Sequence, residues 1–247
     1  MKALSQIRQS LSAFNPLCSW QVGILYSCLL LGIAAPAYAE SNLQTLPKIS
    51  SAELAQQLQV GDVVFIAVKA YPFRQVSKAT LSWTNHVGVV VETGDEAGKE
   101  VMIAESTFPV SRRSELSKFL ARSDAGRVAV SRLKRDWTME ERQRLQHATE
   151  QRMGIWYDSG FNLESKRQFC SRYVRESIEQ ATGITLGEVT NFDSLFKHNP
   201  EANLKFWRLW YFGRIPWNRL TVTPASLLQD TRMQAVFDGY ITRKSAH

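Results

Sequence analysis

Three side chains far apart in the chain have the types needed for nucleophilic acyl chemistry: Cys170, His86 and Glu105. A thiolate attacks a carbonyl carbon, and an imidazole holds the thiol proton and passes it to the leaving group. A carboxylate on the other ring nitrogen fixes tautomer and orientation. Cys170 stands out because Cys18 and Cys28 both lie in an apolar N-terminal stretch. With that stretch removed, the thiol has no intramolecular partner, whereas exported chains usually pair their cysteines or lack them. A buried core cysteine is the ordinary alternative. Among four histidines, His147 falls in a polar helix, His198 in a polar turn, and His247 is the last residue. His86 alone begins an apolar run.

The elements that must position these groups follow from periodicity. Residues 86–92 are rich in valine and read as a strand, with His86, Gly88 and Val90 on one face. Glycine two residues from the histidine leaves room for a group to approach the ring. The plain alternative is a polar strand end satisfied by a backbone carbonyl. Gly94, Asp95 and Gly98 break the chain into a hairpin turn, and residues 101–106 return as a second strand. Glu105 shares a face with Val101 and Ile103. It meets the histidine or stands in solvent according to register. Glu92 is the weaker carboxylate, at the far end of the histidine's own strand.

Residues 168–182 read as a helix that Gly183 stops, with Cys170, Val174, Ile178 and Ala181 on one stripe. Such a stripe suits a core cysteine equally well. Position favours chemistry: Cys170 falls in the first turn, where unpaired N–H groups favour an anion and can hold an oxyanion. Arg167 and Arg172 are expected to add positive potential there.

Elsewhere, residues 51–58 read as a short helix capped by Ser51, and residues 63–68 as a strand buried on both faces. Residues 70–82 read as a loop and 110–115 as a solvated segment. Residues 116–120 form a helical turn and 127–133 a strand. Thr138 and Glu141 have the form of a capping box for a helix over 139–153. Residues 154–162 form a rigid aromatic loop, and 190–199 are irregular and polar. Thr223 and Pro224 start a last helix. The segment 206–217 holds six aromatics interleaved with arginines. It reads as core and sheet edge, as the wall of an acyl or peptide groove, or as a membrane-surface contact.

The N-terminal stretch has Lys2 and Arg8, an apolar run over 23–35, and Ala37-Tyr38-Ala39 in the form of a cleavage site. Residues 1–39 are therefore expected to be a secretory signal peptide, with an uncleaved inner-membrane anchor as the alternative. Residues 40–247 would form one exported, periplasmic domain of 208 residues with a net charge of +5. That mild charge does not point to nucleic acid. No phosphate loop, dinucleotide fingerprint or metal-ligand spacing is present, so no cofactor and no metal are expected.

Several short motifs in this order resemble the permuted papain-like family, circularly rearranged relatives of the NlpC/P60 peptidases, and its YebB-like and YiiX-like members most. They are Gly61-Asp62-Val63-Val64-Phe65, Asn85 before His86-Val87-Gly88-Val89-Val90, and Glu105. Gly154, Tyr157-Asp158, Phe169-Cys170-Ser171 with Val174, and Thr223-Pro224 with Leu227 follow. The resemblance implies an α+β fold, a mostly antiparallel sheet packed against helices. It also implies a thiol-dependent hydrolase or transferase acting on amides or acyl esters, with Cys170 as nucleophile, His86 as base and Glu105 as the orienting carboxylate. A peptide, cell-wall or acyl-lipid substrate is implied. The relatives commonly carry Cys-Ser-Glu-Leu at the nucleophile; this chain has Cys170-Ser171-Arg172-Tyr173, which puts the substrate class in doubt more than the mechanism. The competing reading is a catalytically inactive or peripheral-membrane binding protein on the same fold.

Overall fold

The computed structural model of the chain describes residues 45–94, 99–200 and 202–242. The expected signal peptide over 1–39 and the middle of the turn after Gly94 lie outside them. In chain order the described elements are β1 (Lys48–Ile49), α1 (Ser51–Gln57), β2 (Val63–Val68), α2 (Tyr71–Ala79), β3 (His86–Glu92) and β4 (Met102–Glu105). Next come β5 (Arg112–Glu115), α3 (Leu116–Ala121), β6 (Ser123–Leu133), α4 (Met139–Glu150), α5 (Cys170–Thr182) and β7 (Val189–Asn191). The chain closes with α6 (Phe192–His198), α7 (Leu204–Trp210), β8 (Leu220–Val222), α8 (Pro224–Leu228) and β9 (Met233–Ile241).

Seven strands form one sheet in the order β1-β9-β6-β2-β3-β4-β5, antiparallel throughout except where β1 joins β9. Both faces are covered, which is why β2 and β3 read as near-continuous apolar runs. On one face Val63, Phe65, Val87 and Val89 pack with Leu145 of α4 and with Tyr173, Val174 and Ile178 of α5. On the other, Val64, Ile66, Val90 and Ile103 pack with Leu54 of α1 and with Leu116 and Phe119 of α3. Each such side chain, fully buried, contributes about 1.5–3 kcal/mol. A third cluster joins Ala79 of α2, Phe192 and Phe196 of α6, and Trp207 of α7.

Several expectations need correction. Residues 70–82 are not a loop, because Tyr71–Ala79 is helical. Pro72 sits in the first turn, where no N–H partner is lost, and Gln75 and Ala79, one turn apart, are buried. The cap of α1 is Ser50, not Ser51: its Oγ accepts from the Glu53 N–H at 3.1 Å, and Glu53 accepts from the Ser50 N–H at 2.6 Å. Residues 112–115 are an edge strand, with Ser114 buried. The segment 190–199 holds the end of β7 and all of α6, which Asn191 caps by accepting from the Ser194 N–H at 2.8 Å. The aromatic segment 206–217 lies at no sheet edge; it is α7 and the turn after it. The Thr138 capping box and the left-handed Gly183 stop, at φ +74°, are both present.

Candidate active site

His86 opens β3 and is held there by its neighbours. Asn85 Oδ1 accepts from the Val68 N–H at 2.7 Å, and its amide donates to the Val68 carbonyl at 3.2 Å. Thr84 donates to the Ile66 carbonyl at 2.9 Å. Residues 84–86 are thereby clipped to the end of β2. The register Val89↔Ala104 sets Glu105 opposite Gly88, one pleat along from His86 on the same face. A Cβ on Gly88 would meet Ile103 Cγ2 at 2.4 Å and Phe119 Cε2 at 3.1 Å. Glycine therefore admits Phe119, whose ring lies 5.6 Å from the imidazole. Phe73 of α2 covers the ring at 6.1 Å, edge-on.

Glu105 Oε2 lies 2.6 Å from His86 Nε2, and both side chains are fully buried. The carboxylate is closely surrounded by donors. Ser114 donates to Oε1 at 2.6 Å, and Arg122 Nη2 reaches both oxygens at 2.7 Å. Burial alone would raise its pKa, but His86 and Arg122 outweigh burial and hold it at about 2. An ionised carboxylate only accepts, so Nε2 carries a proton. That leaves Nδ1, buried and without a hydrogen bond of ordinary geometry, as the ring atom free for the thiol. Burial would lower the imidazole pKa; interactions with Cys170 and Glu105 overcome this and raise it to about 9.

Cys170 is the first residue of α5, after an extended Phe169 that offers no side-chain cap. The N–H groups of its first turn have no intrahelical acceptors. Ser171 pins the helix start by donating to the Val222 carbonyl at 2.8 Å. By alternation His86 and Glu105 belong to the sheet face of Val90 and Ile103, whereas Cys170 packs with the opposite cluster. Thiol and ring still interact because each stands at the very start of its element.

The structure thus brings Cys170, His86 and Glu105 together. Glu92 is elsewhere, paired with Arg113 at 2.5 Å. Arg172 does not serve the thiol as expected. Its Nε binds Glu176 at 2.6 Å and its Nη1 the Ser165 carbonyl at 2.6 Å, which ties the preceding loop to α5. Arg167 is exposed.

Sequence reasoning missed the roles of Ser114, Arg122 and Tyr157. Ser114 lies in a segment that reads as solvated, and Arg122 falls between a helical turn and a strand, with no periodicity to mark either. Tyr157 appeared only as a motif residue. It pairs with Gln168 just ahead of α5, and its buried hydroxyl interacts with Cys170. Burial first, then the charges of Cys170, Asp158 and Glu105, push its pKa well above the ordinary value, so it stays a donor.

Cys170 is only 3 % exposed, yet it lines a narrow apolar cleft with a free volume of about 40 Å³. The walls are Val76 and Ala79 of α2, Phe169, Phe192, Leu195 and Trp207.

Residues 57–237 match the family described as permuted papain-like amidase enzymes, YaeF/YiiX, C92. The chain belongs to this family. Its members are hydrolases of the papain-like type. Protein YiiX of Escherichia coli (strain K12) is 26% identical over 190 residues, spanning 77% of this chain and 87% of that protein. The crystal structure of metalloprotein yiiX from Escherichia coli O157:H7 matches with a TM-score of 0.68 at 23% identity. It covers 74% of this chain and 99% of the other, a likeness of fold. The word metalloprotein applies to that protein. Here the donor set does not fit a metal. Among the described residues no three His, Cys, Asp or Glu side chains are grouped to hold one. Glu105 is bound by Arg122, Ser114 and His86, which leaves only Nδ1 and the thiol.

Proposed function

We propose that this YaeF/YiiX-family chain is an exported thiol hydrolase that cleaves an amide or ester bearing an apolar acyl group, through Cys170, His86 and Glu105. The observation that carries the reading is the imidazole held between a buried, fully bound carboxylate and a thiol at a helix start. His86 Nδ1 takes the thiol proton. The sulfur then bonds the carbonyl carbon, and the oxygen takes the negative charge. The Tyr157 hydroxyl and the free N–H groups of Cys170 and Ser171 are the donors for that oxyanion. Nδ1–H returns its proton to the leaving nitrogen or oxygen as the bond to carbon breaks, leaving a thioester. Water adds to the thioester with Nδ1 as base, and the carboxylic acid departs as the thiol re-forms. Glu105 keeps Nε2 protonated throughout and stabilises the imidazolium.

The apolar cleft that begins at the sulfur supports an apolar acyl portion, whether from a peptide, a cell-wall amide or an acyl lipid. The enzyme would comprise residues 40–247 and act in the periplasm. No described helix is long and apolar enough to cross a membrane.

The test is hydrolysis of a panel of fatty-acyl and peptidyl esters and amides. Cys170→Ala should abolish turnover. His86→Ala should lower kcat by about 10²–10⁴-fold, and Glu105→Ala by less. Undiminished hydrolysis by Cys170→Ala would overturn the assignment of the thiol, and no hydrolysis by the unaltered protein would leave a fold-retaining binding protein.

A further inference from the structure

The helix α7 walls the cleft with Trp207 on its inner side, while its outer side has no partner among the described residues. Leu209 is 80% exposed and Phe212 is 97% exposed. Phe212 also has φ +51°, a left-handed conformation that costs energy for a non-glycine residue. A phenylalanine so placed does nothing for the fold. Lys205, Arg208 and Arg214 stand beside this pair, all exposed and none in an ion pair among the described residues. Residues 202–217 contain no acidic side chain. Lys205, Arg208 and Leu209 follow the i, i+3, i+4 spacing of one helical face, and Phe212 stands in the turn just after the helix.

The segment is braced, not loose. Trp210 Nε1 donates to the Ser159 carbonyl at 2.9 Å, and the Tyr211 hydroxyl donates to the Gly160 carbonyl at 3.2 Å. Phe206 stacks on Trp210 at 5.5 Å. A shallow depression beside Phe212 and Leu209 is also lined by Arg214 and Arg219.

We propose that α7 and the turn after it form a docking surface for an anionic lipid bilayer. Leu209 and Phe212 enter the boundary between headgroups and acyl chains, and Lys205, Arg208 and Arg214 meet lipid phosphates. Charge decides for lipid over protein. Two protruding apolar side chains amid unpaired cations suit a phosphate layer. A stable protein interface needs roughly 800 Å² per partner with a charge-depleted centre. Docking does not depend on the thiol chemistry. If that chemistry also holds, the helix that meets the bilayer is the one that walls the acyl cleft.

Hydrogen exchange of the full chain, carrying Cys170→Ala so that no vesicle lipid is consumed, tests this. It is measured with and without phosphatidylglycerol vesicles, and peptides are read one by one so that the N-terminal stretch does not confuse the result. Slowed exchange over 204–217 is expected with these vesicles, and less slowing with phosphatidylcholine or in high salt. Leu209→Glu/Phe212→Glu, at exposed positions, should keep the same Tm and weaken the vesicle effect roughly tenfold or more. Unchanged exchange over 204–217 overturns the proposal, as does slowing that the double variant keeps. Slowing that appears without vesicles as protein concentration rises assigns the face to self-association instead.

Discussion

Glu105 is the group on which the site's electrostatics turn. Its folded pKa of about 2 lies below the ordinary 4.5, so its stabilising contribution is present above pH 4.5 and is lost as pH falls toward 2. His86 runs the other way. Its folded value of about 9 lies above 6.5, so its contribution is full below pH 6.5 and is lost as pH rises through 9. Thermal melts across pH should therefore fall at both ends, and Glu105→Gln should flatten the acid limb. In the same variant the His86 titration, followed by NMR, should move down, because one of the two groups that raise it is gone. Acylation should decline above pH of about 9 as the imidazolium that protonates the leaving group disappears. Arg122→Leu should cost about 1–3 kcal/mol in chemical denaturation and lower kcat more than it raises KM, since the strongest contacts of Arg122 are to the carboxylate, with Thr107 at 3.4 Å and the Phe119 ring at 4.9 Å beside them. The three principal residues were legible from type and placement. Arg122 and Ser114 were not, since each approaches Glu105 from an adjoining element with no periodic signal in the chain.

Register and helix starts place the groups at the scale of elements. The strand β3 was readable because both of its faces are buried and valine fills it. The helix α5 was readable because its stripe recurs every three to four residues. What the chain could not reveal was the pairing Val89↔Ala104, which decides whether Glu105 meets the imidazole or water. Gly88 is a sensitive point in that pairing. Gly88→Ala would press Ile103 and Phe119, and should cost about 1–3 kcal/mol and displace Phe119 from the imidazole. Circular-dichroism melts and kcat together check this: a loss of stability with kcat untouched would separate Phe119 from the chemistry. The helix α2 escaped the sequence reading because its one proline and its polar residues mimic a loop. Its buried stripe of Gln75 and Ala79 is too short to show a period, yet it walls the cleft and, through Phe73, covers His86.

For the molecule as a whole, the sheet is a partition. Cys170 comes from the layer on one face, and His86 and Glu105 project toward the other; they meet where β3 and α5 both begin. The α+β class and the order of histidine, carboxylate and cysteine were legible, and so was the family. The third cluster was legible in part: the aromatic segment of α7 read as core, but α2 and α6 did not show, because they are short and rich in polar residues. The central claim is that His86 governs the reactivity of Cys170. Its most direct test is the rate of iodoacetamide alkylation of Cys170 at pH 7, followed on the Cys170 peptide with glutathione as the reference thiol. Cys170 should react faster than the reference, and His86→Ala should slow it by about tenfold or more. Equal rates in the two proteins, or a Cys170 that reacts only after unfolding, would contradict it.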